Sequence, residues 1–456
     1  MGRPSFFKHG RGFSRSRRAF LRQSLQSAGA LGLGVIGGQV AIARPARAMG
    51  GGADSFGPLL PADGNGLKLP AGFTSRIVAE GLTLPVGTSP YPWHTAPDGG
   101  ATFAKPGGGW VYVSNSEAGA GGVGALSFAS DGTIVDAYSI LTNTSINCAG
   151  GPTPWNTWLS CEEFNGGRVY ECDPFASSQG SVRAALGTFK HEAAAVDPGH
   201  QQVYLTEDQG NGLLYRSTPT SYPDLSAGTL EAAEILDPLG QGAIALGQVR
   251  PLVWHAVAEA NPVNGGVQND THTPIAERST RFQVPSATTF NGGEGCWYHD
   301  GVVYFSTKGN GRIWALDTNA NTVEIIYDQS NPGGQALTNV DNVYVSSFGD
   351  VYVAEDPGDL QIVALTPTGS VVPILQLTGQ SGTEITGPAL SPDGSRLYFS
   401  SQRGPGPAGN FGVTYEVMGP FLPTAAVPSL SNLWRVLIAA ALGTAAALDL
   451  RRRDPI

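Results

Sequence analysis

The sequence predicts an all-β fold, a six-bladed β-propeller, on three observations. The chain of 456 residues contains 63 Gly and 33 Pro but only three Met, a composition typical of many short strands joined by tight turns. Its apolar runs are short and strand-like rather than helical in spacing. Six of them share one pattern, and most recur at a spacing in the forties, the period at which propeller blades repeat.

Each of these repeated segments, called a marker strand below, has an aromatic residue between two apolar ones, followed by a small residue and then polar residues. The marker strands are Trp110–Ser114, Thr157–Ser160, Val203–Thr206, Val303–Ser306, Val351–Ala354 and Leu397–Ser400. Their central aromatic residues lie 46, 46, 100, 48 and 46 positions apart. The long step contains residues 218–285, which are polar, rich in proline and without a marker strand. We therefore expect an insertion at 218–285 within a propeller spanning residues 49–425.

Five of the six marker strands follow another strand and a turn signal, such as Pro392-Asp393-Gly394, and the pairs are predicted to form β-hairpins. A hairpin begins and ends at the same edge of its sheet. Polar residues at hairpin starts and marker-strand ends should therefore share one rim of the ring. The residues predicted there include His94, His191, Glu192, Glu294, Asp341, Asn342, Glu384, Asn115, Glu117, Cys161, Glu162, Glu163, Glu207, Asp208, Lys308, Glu355, Asp356 and Arg403.

Cys161-Glu162-Glu163 is the most informative stretch of this rim. It places a thiol and two carboxylates at the end of a short apolar strand. A thiolate beside carboxylates suits a transition metal such as iron, and spare carboxylate oxygens suit calcium. A buried structural cysteine followed by two solvated glutamates is the alternative that this segment alone leaves open.

The N-terminus predicts a twin-arginine export signal over residues 1–48. Arg17-Arg18 is followed by Phe20-Leu21-Arg22 and a weakly apolar Gly/Ala-rich run, and Ala46-Arg47-Ala48 forms an A-x-A cleavage site. The twin-arginine translocase is thus an expected partner, and the mature chain is expected in the periplasm, at the cell surface or secreted. In such a compartment Cys148 could pair with Cys172, although the sequence leaves the connectivity open.

The C-terminal residues 426–456 predict a sorting or anchoring segment. Pro428-Ser429-Leu430-Ser431 precedes an apolar run from Val436 to Leu448 and then Arg451-Arg452-Arg453. Thirteen apolar residues are short for a bilayer span. The arrangement resembles the C-terminal signals recognised by exosortase-like sorting transpeptidases, and membrane contact is expected only through this segment. A helix packed on the propeller is the alternative.

The charge distribution argues against nucleic acid as a partner. Nine of the 27 basic residues lie in residues 1–48 and four lie after residue 427, which leaves 14 basic against 35 acidic residues in the body. A body with a net charge of −21 cannot neutralise phosphates with its own cations. If the protein acts on an anionic substrate, bound metal ions must reverse the local field.

Four segments together resemble the PhoX family of bacterial alkaline phosphatases. They are Thr153–Glu163, Lys190-His191-Glu192-Ala193-Ala194, Leu205-Thr206-Glu207-Asp208 and Asn291-Gly292-Gly293-Glu294-Gly295. The likeness covers roughly residues 65–415. It implies twin-arginine export, a six-bladed propeller, iron and calcium as cofactors, and small phosphomonoesters as substrates.

Position by position, the resemblance implies that Cys161 ligates iron and that carboxylates such as Glu162, Glu207 and Glu294 bind iron and calcium. It also implies a calcium site at Asn115 and Glu117, and a further calcium-binding pair in Asp341-Asn342 and Glu355-Asp356. Glu192 and Glu384 are additional candidate ligands.

One departure from the family pattern concerns the substrate phosphate. Family phosphatases carry an arginine two residues before the glutamate that matches Glu294, and this arginine holds the phosphate. Here that position is Gly292. Lys308 and Arg403 are predicted to stabilise phosphoryl charge in its place, Lys308 as a point charge and Arg403 as a bidentate donor.

The predicted function is metal-assisted hydrolysis of a phosphomonoester outside the cytoplasm. Two alternatives remain at this stage. One is a calcium-dependent lactonase or esterase, which needs a single divalent ion and no thiolate. The other is a non-enzymatic surface propeller that uses calcium for rigidity. Metal content distinguishes them from the phosphatase.

Overall fold

The computed structural model describes residues 52–421 except 178, 241, 268–271, 332–335 and 406–410. Within these ranges the chain forms 26 β-strands and six short 3-10 helices, and no α-helix. None of the helices in this part of the chain has the length and hydrophobicity needed to cross a membrane. The predicted export signal and C-terminal segment lie outside the described residues.

The strands are β1 (Leu67–Lys68), β2 (Thr74–Glu80), β3 (Pro97–Ala104), β4 (Trp110–Ser116), β5 (Gly121–Phe128), β6 (Ile134–Thr144), β7 (Asn147–Pro152), β8 (Trp158–Glu162), β9 (Val169–Cys172), β10 (Ser181–Val182), β11 (His191–Asp197), β12 (Gln202–Glu207), β13 (Leu214–Ser221), β14 (Asp224–Ile235), β15 (Arg250–Ala256), β16 (Gly293–His299), β17 (Val302–Thr307), β18 (Arg312–Asp317), β19 (Thr322–Asp328), β20 (Val340–Val345), β21 (Val351–Glu355), β22 (Gln361–Leu365), β23 (Val371–Leu377), β24 (Ile385–Leu390), β25 (Arg396–Ser401) and β26 (Val413–Met418). The 3-10 helices are Ala53–Ser55, Ala184–Leu186, Val263–Gly265, Ile275–Glu277, Thr280–Phe282 and Lys308–Asn310.

The strands form an all-β propeller of antiparallel sheets. Three sheets have four strands, in the orders β3-β4-β5-β6, β7-β8-β9-β10 and β24-β25-β26-β2. A five-stranded sheet has the order β20-β21-β22-β23-β1, and a nine-stranded sheet runs β11-β12-β13-β14-β15-β19-β18-β17-β16. The first strands of the described chain thus complete sheets made from its end, which closes the ring. The expected six separate sheets are replaced by five, because β15 pairs with both β14 and β19.

The six marker strands lie in β4, β8, β12, β17, β21 and β25, the second strand of each hairpin. Each pairs with the strand before it, and these preceding strands are β3, β7, β11, β16, β20 and β24. The preceding strands contact one another in chain order around the axis, and β24 contacts β3. They are called the inner strands below. The central aromatic residues of the marker strands, such as Tyr112, Trp158 and Tyr204, are buried between sheets.

The inner strands share one irregularity. Each has a shift of register, a β-bulge, immediately after its first or second residue. Small residues lie at or just after the bulge in several inner strands, where these strands converge: a Cβ on Gly99 would lie 2.5 Å from Ala149 Cα, and one on Gly151 would lie 1.7 Å from the Ala194 carbonyl oxygen. A bulge interrupts the regular alternation of side chains between the two faces of a sheet and so redirects a side chain. Here it does so at the same point of every inner strand.

The predicted insertion at 218–285 includes regular structure. Its first part completes the sheet as the end of β13 and all of β14, and β15 joins the two halves of the nine-stranded sheet. Arg281, from the following 3-10 helix, is buried in an ion pair with Glu207, with Nη1 2.8 Å from Oε1. This part of the chain is therefore built into the propeller rather than set apart from it.

Candidate metal centre

The bulged starts of the inner strands bring five side chains together at one end of the propeller axis. They are the second residues of five inner strands: Asp98, Cys148, Glu192, Glu294 and Asp341. The sixth inner strand has Thr386 in this place, with Glu384 two residues before it. All five are buried. Four carboxyl groups and one thiol thus converge from strands that are distant in sequence.

The ends of the marker strands add further carboxylates to this set. Ligand atoms lie within 4.8 Å of one another in four overlapping groups: Asp98–Glu117–Cys148, Cys148–Glu163–Glu192, Glu192–Glu294–Asp341 and Asp341–Asp356–Glu384. The nine residues of these groups are called the acidic centre. Because consecutive groups share a member, the centre is one continuous chain of potential ligands.

Cys148 and Glu192 form the middle of the acidic centre. The Cys148 thiol donates a hydrogen bond of 3.0 Å to Glu192 Oε1. Glu192 Oε2 is buried and has no hydrogen-bond partner among the described residues. A buried carboxylate oxygen without a partner destabilises the folded protein. A bound cation would supply the missing interaction. Burial raises the pKa of the thiol, and the charges of Asp98 and Glu192 raise it further.

The carboxyl groups of the centre are strongly perturbed. Burial, together with their neighbours' charges, raises the pKa values of Asp98, Glu192 and Glu294 well above their usual range. Burial likewise raises the pKa of Glu163 to about 8 and that of Asp341 to about 7. Without added positive charge the protein cannot keep these groups ionised side by side. Bound divalent or trivalent cations would restore their ionised forms.

Three basic side chains border the acidic centre, and each lies against its acids. Lys308 Nζ is 3.0 Å from Glu294 Oε1 and 3.0 Å from Asp356 Oδ2. Lys190 Nζ is 2.7 Å from Glu163 Oε1 and 2.8 Å from Asp208 Oδ2, and Arg403 Nη2 is 3.0 Å from Glu384 Oε1. The side chains are 35%, 25% and 43% exposed for Lys308, Lys190 and Arg403, so their charged ends can face an entering anion.

The side chains of Lys308 and Lys190 keep their positive charge. Burial works against the Lys308 ammonium group, but Glu294, Asp341 and Asp356 raise its pKa well above the usual value. Burial also opposes ionisation of Asp208, yet the hydrogen bond from Lys190 holds the pKa of that carboxyl below its usual value. The border of the centre therefore carries fixed positive charge next to ionised carboxylates.

Two amide side chains position members of the centre. Asn342 Nδ2 donates to Asp341 Oδ1 at 3.0 Å, and Asn342 Oδ1 accepts from the Gly387 backbone N–H at 2.7 Å. Gln402 Nε2 donates to Asp98 Oδ2 at 2.7 Å and also to Glu117 Oε2. Asn342 was a predicted ligand. Its amide instead forms hydrogen bonds within the protein.

Cys161 lies away from the acidic centre, which corrects the prediction made for it. It is fully buried in an apolar cluster with Leu159, Val169 and Phe189. Its position in β8 directs the side chain into the packing between sheets. The thiol that does lie among carboxylates is Cys148, at the start of the neighbouring inner strand β7. All four cysteines are free, so Cys148 and Cys172, whose pairing the sequence left open, form no disulfide in the structure.

Three predicted carboxylate ligands are also committed elsewhere. Glu162 accepts backbone N–H groups of Ser145 and Arg168, each at 3.1 Å. Glu355 accepts the backbone N–H groups of Thr338, Asp359 and Gln361 at 2.7–3.0 Å. Glu207 is ion-paired with Arg281 and accepts the Tyr215 hydroxyl at 3.0 Å.

Asn115 likewise serves the fold rather than the centre. Its amide donates to the carbonyl groups of Cys148 and Ala149, and its oxygen accepts from Trp158 and Ser160. The predicted ligands that do meet in the acidic centre are Glu117, Glu192, Glu294, Asp341 and Asp356, together with the candidate Glu384. The predicted cations Lys308 and Arg403 lie at its border.

Asp98 and Cys148 were not predicted from the sequence, and neither Glu163 nor Lys190 was selected there as a functional residue. A signal for the first two was present. Acid or thiol followed by small residues occurs in Asp98-Gly99-Gly100, Cys148-Ala149-Gly150, Glu192-Ala193-Ala194 and Glu294-Gly295. Small residues are needed there because the strands meet at the axis. The repeat of that short pattern marks the inner-strand bulges.

Gly292, which stands where the family has an arginine, lies at the border beside Lys308 and Asp208. Its φ is +65°, and its carbonyl accepts the Lys308 backbone N–H at 2.7 Å. A Cβ here would lie 3.4 Å from Asp208 Oδ1. The left-handed backbone favours glycine. Two lysines lie in its surroundings: Lys308, whose backbone it contacts, and Lys190, whose Nζ is 2.8 Å from Asp208 Oδ2.

A propeller with a chain of carboxylates and one thiol at its axis has the donor set of a metal-binding site. The family model described as "Alkaline phosphatase PhoX" matches residues 118–168 and 164–406. The chain therefore belongs to the PhoX family of alkaline phosphatases, and its activity is that of a metal-dependent phosphomonoester hydrolase.

The fold is supported by one solved structure with a TM-score above 0.5. Pseudomonas fluorescens PhoX in complex with vanadate, a transition state analogue, matches with a TM-score of 0.62 and 17% identity, over 81% of this chain and 98% of that one. A gluconolactonase from Xanthomonas campestris matches with a TM-score of 0.40 and 13% identity, over 80% and 97% of the two chains. Among curated proteins no sequence match is found.

Proposed function

We propose that the acidic centre is the catalytic metal centre of this phosphatase, with iron held at Cys148 and calcium held by the all-oxygen groups. The observation that carries the proposal is the convergence of Cys148 Sγ, Glu163 and Glu192 within 4.8 Å of one another, with Glu192 Oε2 unpartnered. A thiolate with carboxylates fits iron, whereas groups of carboxylates alone fit calcium. The all-oxygen groups are Glu192–Glu294–Asp341 and Asp341–Asp356–Glu384.

This assignment transfers the iron ligand from Cys161 to Cys148. It retains Glu192, Glu294, Asp341 and Asp356 among the proposed metal ligands. Glu117 remains a proposed ligand, now with Asp98 rather than Asn115. When bound, the metal ions would supply Lewis-acid polarisation of the phosphoryl group.

The chain's own residues bind and orient the phosphate. Lys308, Lys190 and Arg403 present the fixed positive charge, and each would exchange a carboxylate contact for a phosphoryl oxygen. Such preset charges stabilise the equatorial oxygens of an in-line displacement without reorganisation. Asn342 and Gln402 hold Asp341 and Asp98 in place through their amide groups. No serine nucleophile is required.

The test is turnover of p-nitrophenyl phosphate by protein loaded with iron and calcium, between neutral and alkaline pH. We expect turnover that is lost after chelation and restored by adding both metals. Natively purified protein should contain both elements. Fully loaded protein without turnover would contradict the proposal, and a protein holding one calcium and no iron would favour a lactonase-type site instead.

We further propose six blades in this propeller. The support is the six inner strands around the axis, each with a bulge at the same place. The nine-stranded sheet then corresponds to two four-stranded blades, β11–β14 and β16–β19, joined by β15.

The location of the protein is also a proposal. PhoX-family membership and the Arg17-Arg18 motif support export by the twin-arginine translocase, to the periplasm or the cell surface. Changing Arg17 and Arg18 to lysine should keep the enzyme in the cytoplasm. Residues 426–456 are proposed as the sorting segment on sequence grounds alone, and a truncation before Pro428 should release the enzyme from the cell surface.

A further inference from the structure

A cavity separate from the acidic centre lies where β15 joins the two halves of the nine-stranded sheet. Its volume is about 260 Å³, and its wall includes Ile235 of β14, Arg250 of β15, and Arg312 and Trp314 of β18. None of the described residues that line it belongs to the acidic centre or to the three basic side chains at its border. An apolar protein cavity of about 150 Å³ holds benzene, so this one has room for a ring or a branched chain that carries a polar group.

The loop after β14 forms one wall of the cavity and is fixed at several points. The Leu236 N–H donates to the Pro251 carbonyl at 2.9 Å, and the Gly247 N–H donates to the Ile325 carbonyl at 2.8 Å. The Thr288 hydroxyl accepts the last N–H of β14 at 2.8 Å. The cavity is therefore built before any ligand arrives.

Arg250 brings a buried positive charge to the cavity. Its side chain is 4% exposed, its Nη1 donates to Asp237, and its Nη2 donates to Gln248 Oε1 at 3.2 Å. Its Nε has no hydrogen-bond partner among the described residues. A buried guanidinium N–H without an acceptor destabilises the folded protein, and a ligand oxygen would supply the acceptor.

Arg312 and Asn310 add donors that the protein leaves unused. Arg312 Nε donates to Asp328 Oδ2 at 2.8 Å, but its two Nη groups form no hydrogen bond within the described part of the chain. The Asn310 oxygen accepts the Thr307 hydroxyl at 2.5 Å, which leaves the Nδ2 group of Asn310 to donate. An excess of donors indicates a ligand with acceptor oxygens.

The acids around the cavity are already paired. Asp237, the acidic side chain among the described lining residues, accepts Arg250 and the Gly242 N–H, the latter at 2.6 Å. Asp328 is paired with Arg312. Two ion pairs leave the surroundings close to neutral, so each negative charge on a ligand is only partly compensated. A carboxylate, with one charge, therefore fits better than a phosphate, with two.

The rest of the wall is apolar. Ile235, Ile244 and the buried Trp314 line the cavity beside the donors. Apolar surface with a few polar groups placed in it is typical of sites for small organic molecules. The ligand is therefore expected to have an apolar body.

We propose that this cavity binds a small organic carboxylate, with the acid group against Arg312 and Asn310 and the body on the apolar part of the wall. The buried charge of Arg250 lies in the same wall and attracts the anion. The inference goes beyond the proposed function, because the cavity and the acidic centre have no lining residue in common.

The test is isothermal titration calorimetry of the metal-loaded, full-length protein with benzoate, whose ring and carboxylate suit the cavity. Wild type should bind benzoate at a single site. Benzamide has nearly the same shape without the charge, and it should bind about tenfold more weakly or worse. Arg312→Gln should lower the benzoate affinity about tenfold, the loss expected for hydrogen bonds to a charged group. Arg312→Lys keeps the charge without the planar donors, so it should have an intermediate affinity.

Arg216→Gln is the matched control. Like Arg312, Arg216 forms an ion pair, with Nη2 2.7 Å from Glu231 Oε2, and lies over a tryptophan ring, but it is outside the cavity. This variant should bind benzoate as tightly as wild type does.

Benzoate affinity that is unchanged in Arg312→Gln would place the ligand elsewhere, the acidic centre included, and would overturn the inference. So would the absence of benzoate binding to wild type, equal affinities for benzoate and benzamide, or an equal loss of affinity in Arg216→Gln. Phenylphosphonate that binds this cavity more tightly than benzoate would refute the choice of a carboxylate. None of these measurements uses turnover, so their failure is distinct from failure of the catalytic assignment.

Discussion

Cys148 and Cys161 are both buried thiols on adjacent strands of one sheet, yet their surroundings are opposite. Cys148 lies against Glu192, Glu163 and Asp98, whereas Cys161 lies among Leu159, Val169 and Phe189. Burial raises the pKa of both thiols. Only at Cys148 are there further ligands that could bind a cation and stabilise the thiolate. Neighbouring donors, rather than burial of a thiol, distinguish a metal site from a core position.

The paired acids at the marker-strand ends repeat this contrast. In Glu162-Glu163 and Glu355-Asp356 the first carboxylate accepts at least one backbone N–H group of the turn that follows it, and the second belongs to the acidic centre. Adjacent side chains on an extended chain point in opposite directions. One acid therefore stabilises the hairpin and its neighbour is available for metal.

The largest expected effect separates Glu192 from Glu207. Glu192→Gln should lower kcat/KM by about 10³-fold or more, because it removes the central carboxylate of the acidic centre. The fold should persist, since the raised pKa of Glu192 already favours its neutral form. Glu207→Gln should leave the metals bound but lower the free energy of unfolding by about 3–5 kcal/mol, because the buried ion pair between Glu207 and Arg281 is lost. Kinetics, elemental analysis and chemical denaturation measure these effects. Loss of metal from Glu207→Gln alone would reverse the comparison.

The next expected effect separates the two cysteines. Cys148→Ser should weaken iron binding about 100-fold or more. Disturbing only the contacts that support a metal ligand can already weaken binding by this factor, and removal of the ligand itself should cost at least as much. Cys161→Ser should retain iron and lower the free energy of unfolding by about 1–3 kcal/mol, because its hydroxyl would be buried without a partner. Iron content and denaturation curves of both variants are the measurements. Equal iron content in the two variants would refute the distinction.

A third expected effect concerns pH in the metal-free protein. The pKa values of Asp341 and Glu163 are about 7 and about 8, against ordinary values of 3.8 and 4.5. Between about pH 5 and 7 the folded protein thus keeps protons that the unfolded chain has released. Its free energy of unfolding should fall by on the order of 1 kcal/mol per pH unit over this window. Thermal unfolding in a chelator measures this slope. With metals bound these groups stay ionised and the fall should disappear, and a metal-free protein whose stability rises over the window would contradict the account.

The smallest expected effect separates the neighbours Glu162 and Glu163. Glu163→Gln should lower kcat/KM about tenfold, by weakening one metal group and releasing Lys190. Glu162→Gln should leave kcat/KM unchanged and cost about 1–2 kcal/mol of stability, through weaker hydrogen bonds to the turn. Steady-state kinetics and denaturation of the two variants distinguish them. A larger loss of kcat/KM in Glu162→Gln would show that Glu162, and not Glu163, points toward the acidic centre.

The propeller could be predicted from the sequence because its repeat is local. Tyr112, Trp158, Tyr204, Tyr304, Tyr352 and Tyr398 each recur inside a short strand with a small residue after it. The joining of two sheets by β15 could not be predicted, since Arg250–Ala256 carries no marker pattern and pairs both with the preceding strand β14 and with β19, which is distant in sequence. It depends on tertiary contacts.

Six of the nine residues of the acidic centre were predicted from the sequence as ligands or candidate ligands. The hairpin prediction places Glu192, Glu294, Asp341 and Asp356 on one rim, where the structure has them. It failed for Cys161 and Asn115, because the direction of a side chain at a strand end changes with each single residue. It missed Asp98 and Cys148, because the bulges that turn them toward the axis are visible in the sequence only as short runs of small residues.

The central claim is that the thiol of the metal centre is Cys148. An anomalous difference map at the iron absorption edge, from crystals of natively purified protein, tests it most directly. The account predicts a peak between Cys148 Sγ and the carboxylates of Glu163 and Glu192, with none beside Cys161. A peak at Cys161, or iron bound with Cys148 outside its coordination sphere, would contradict it.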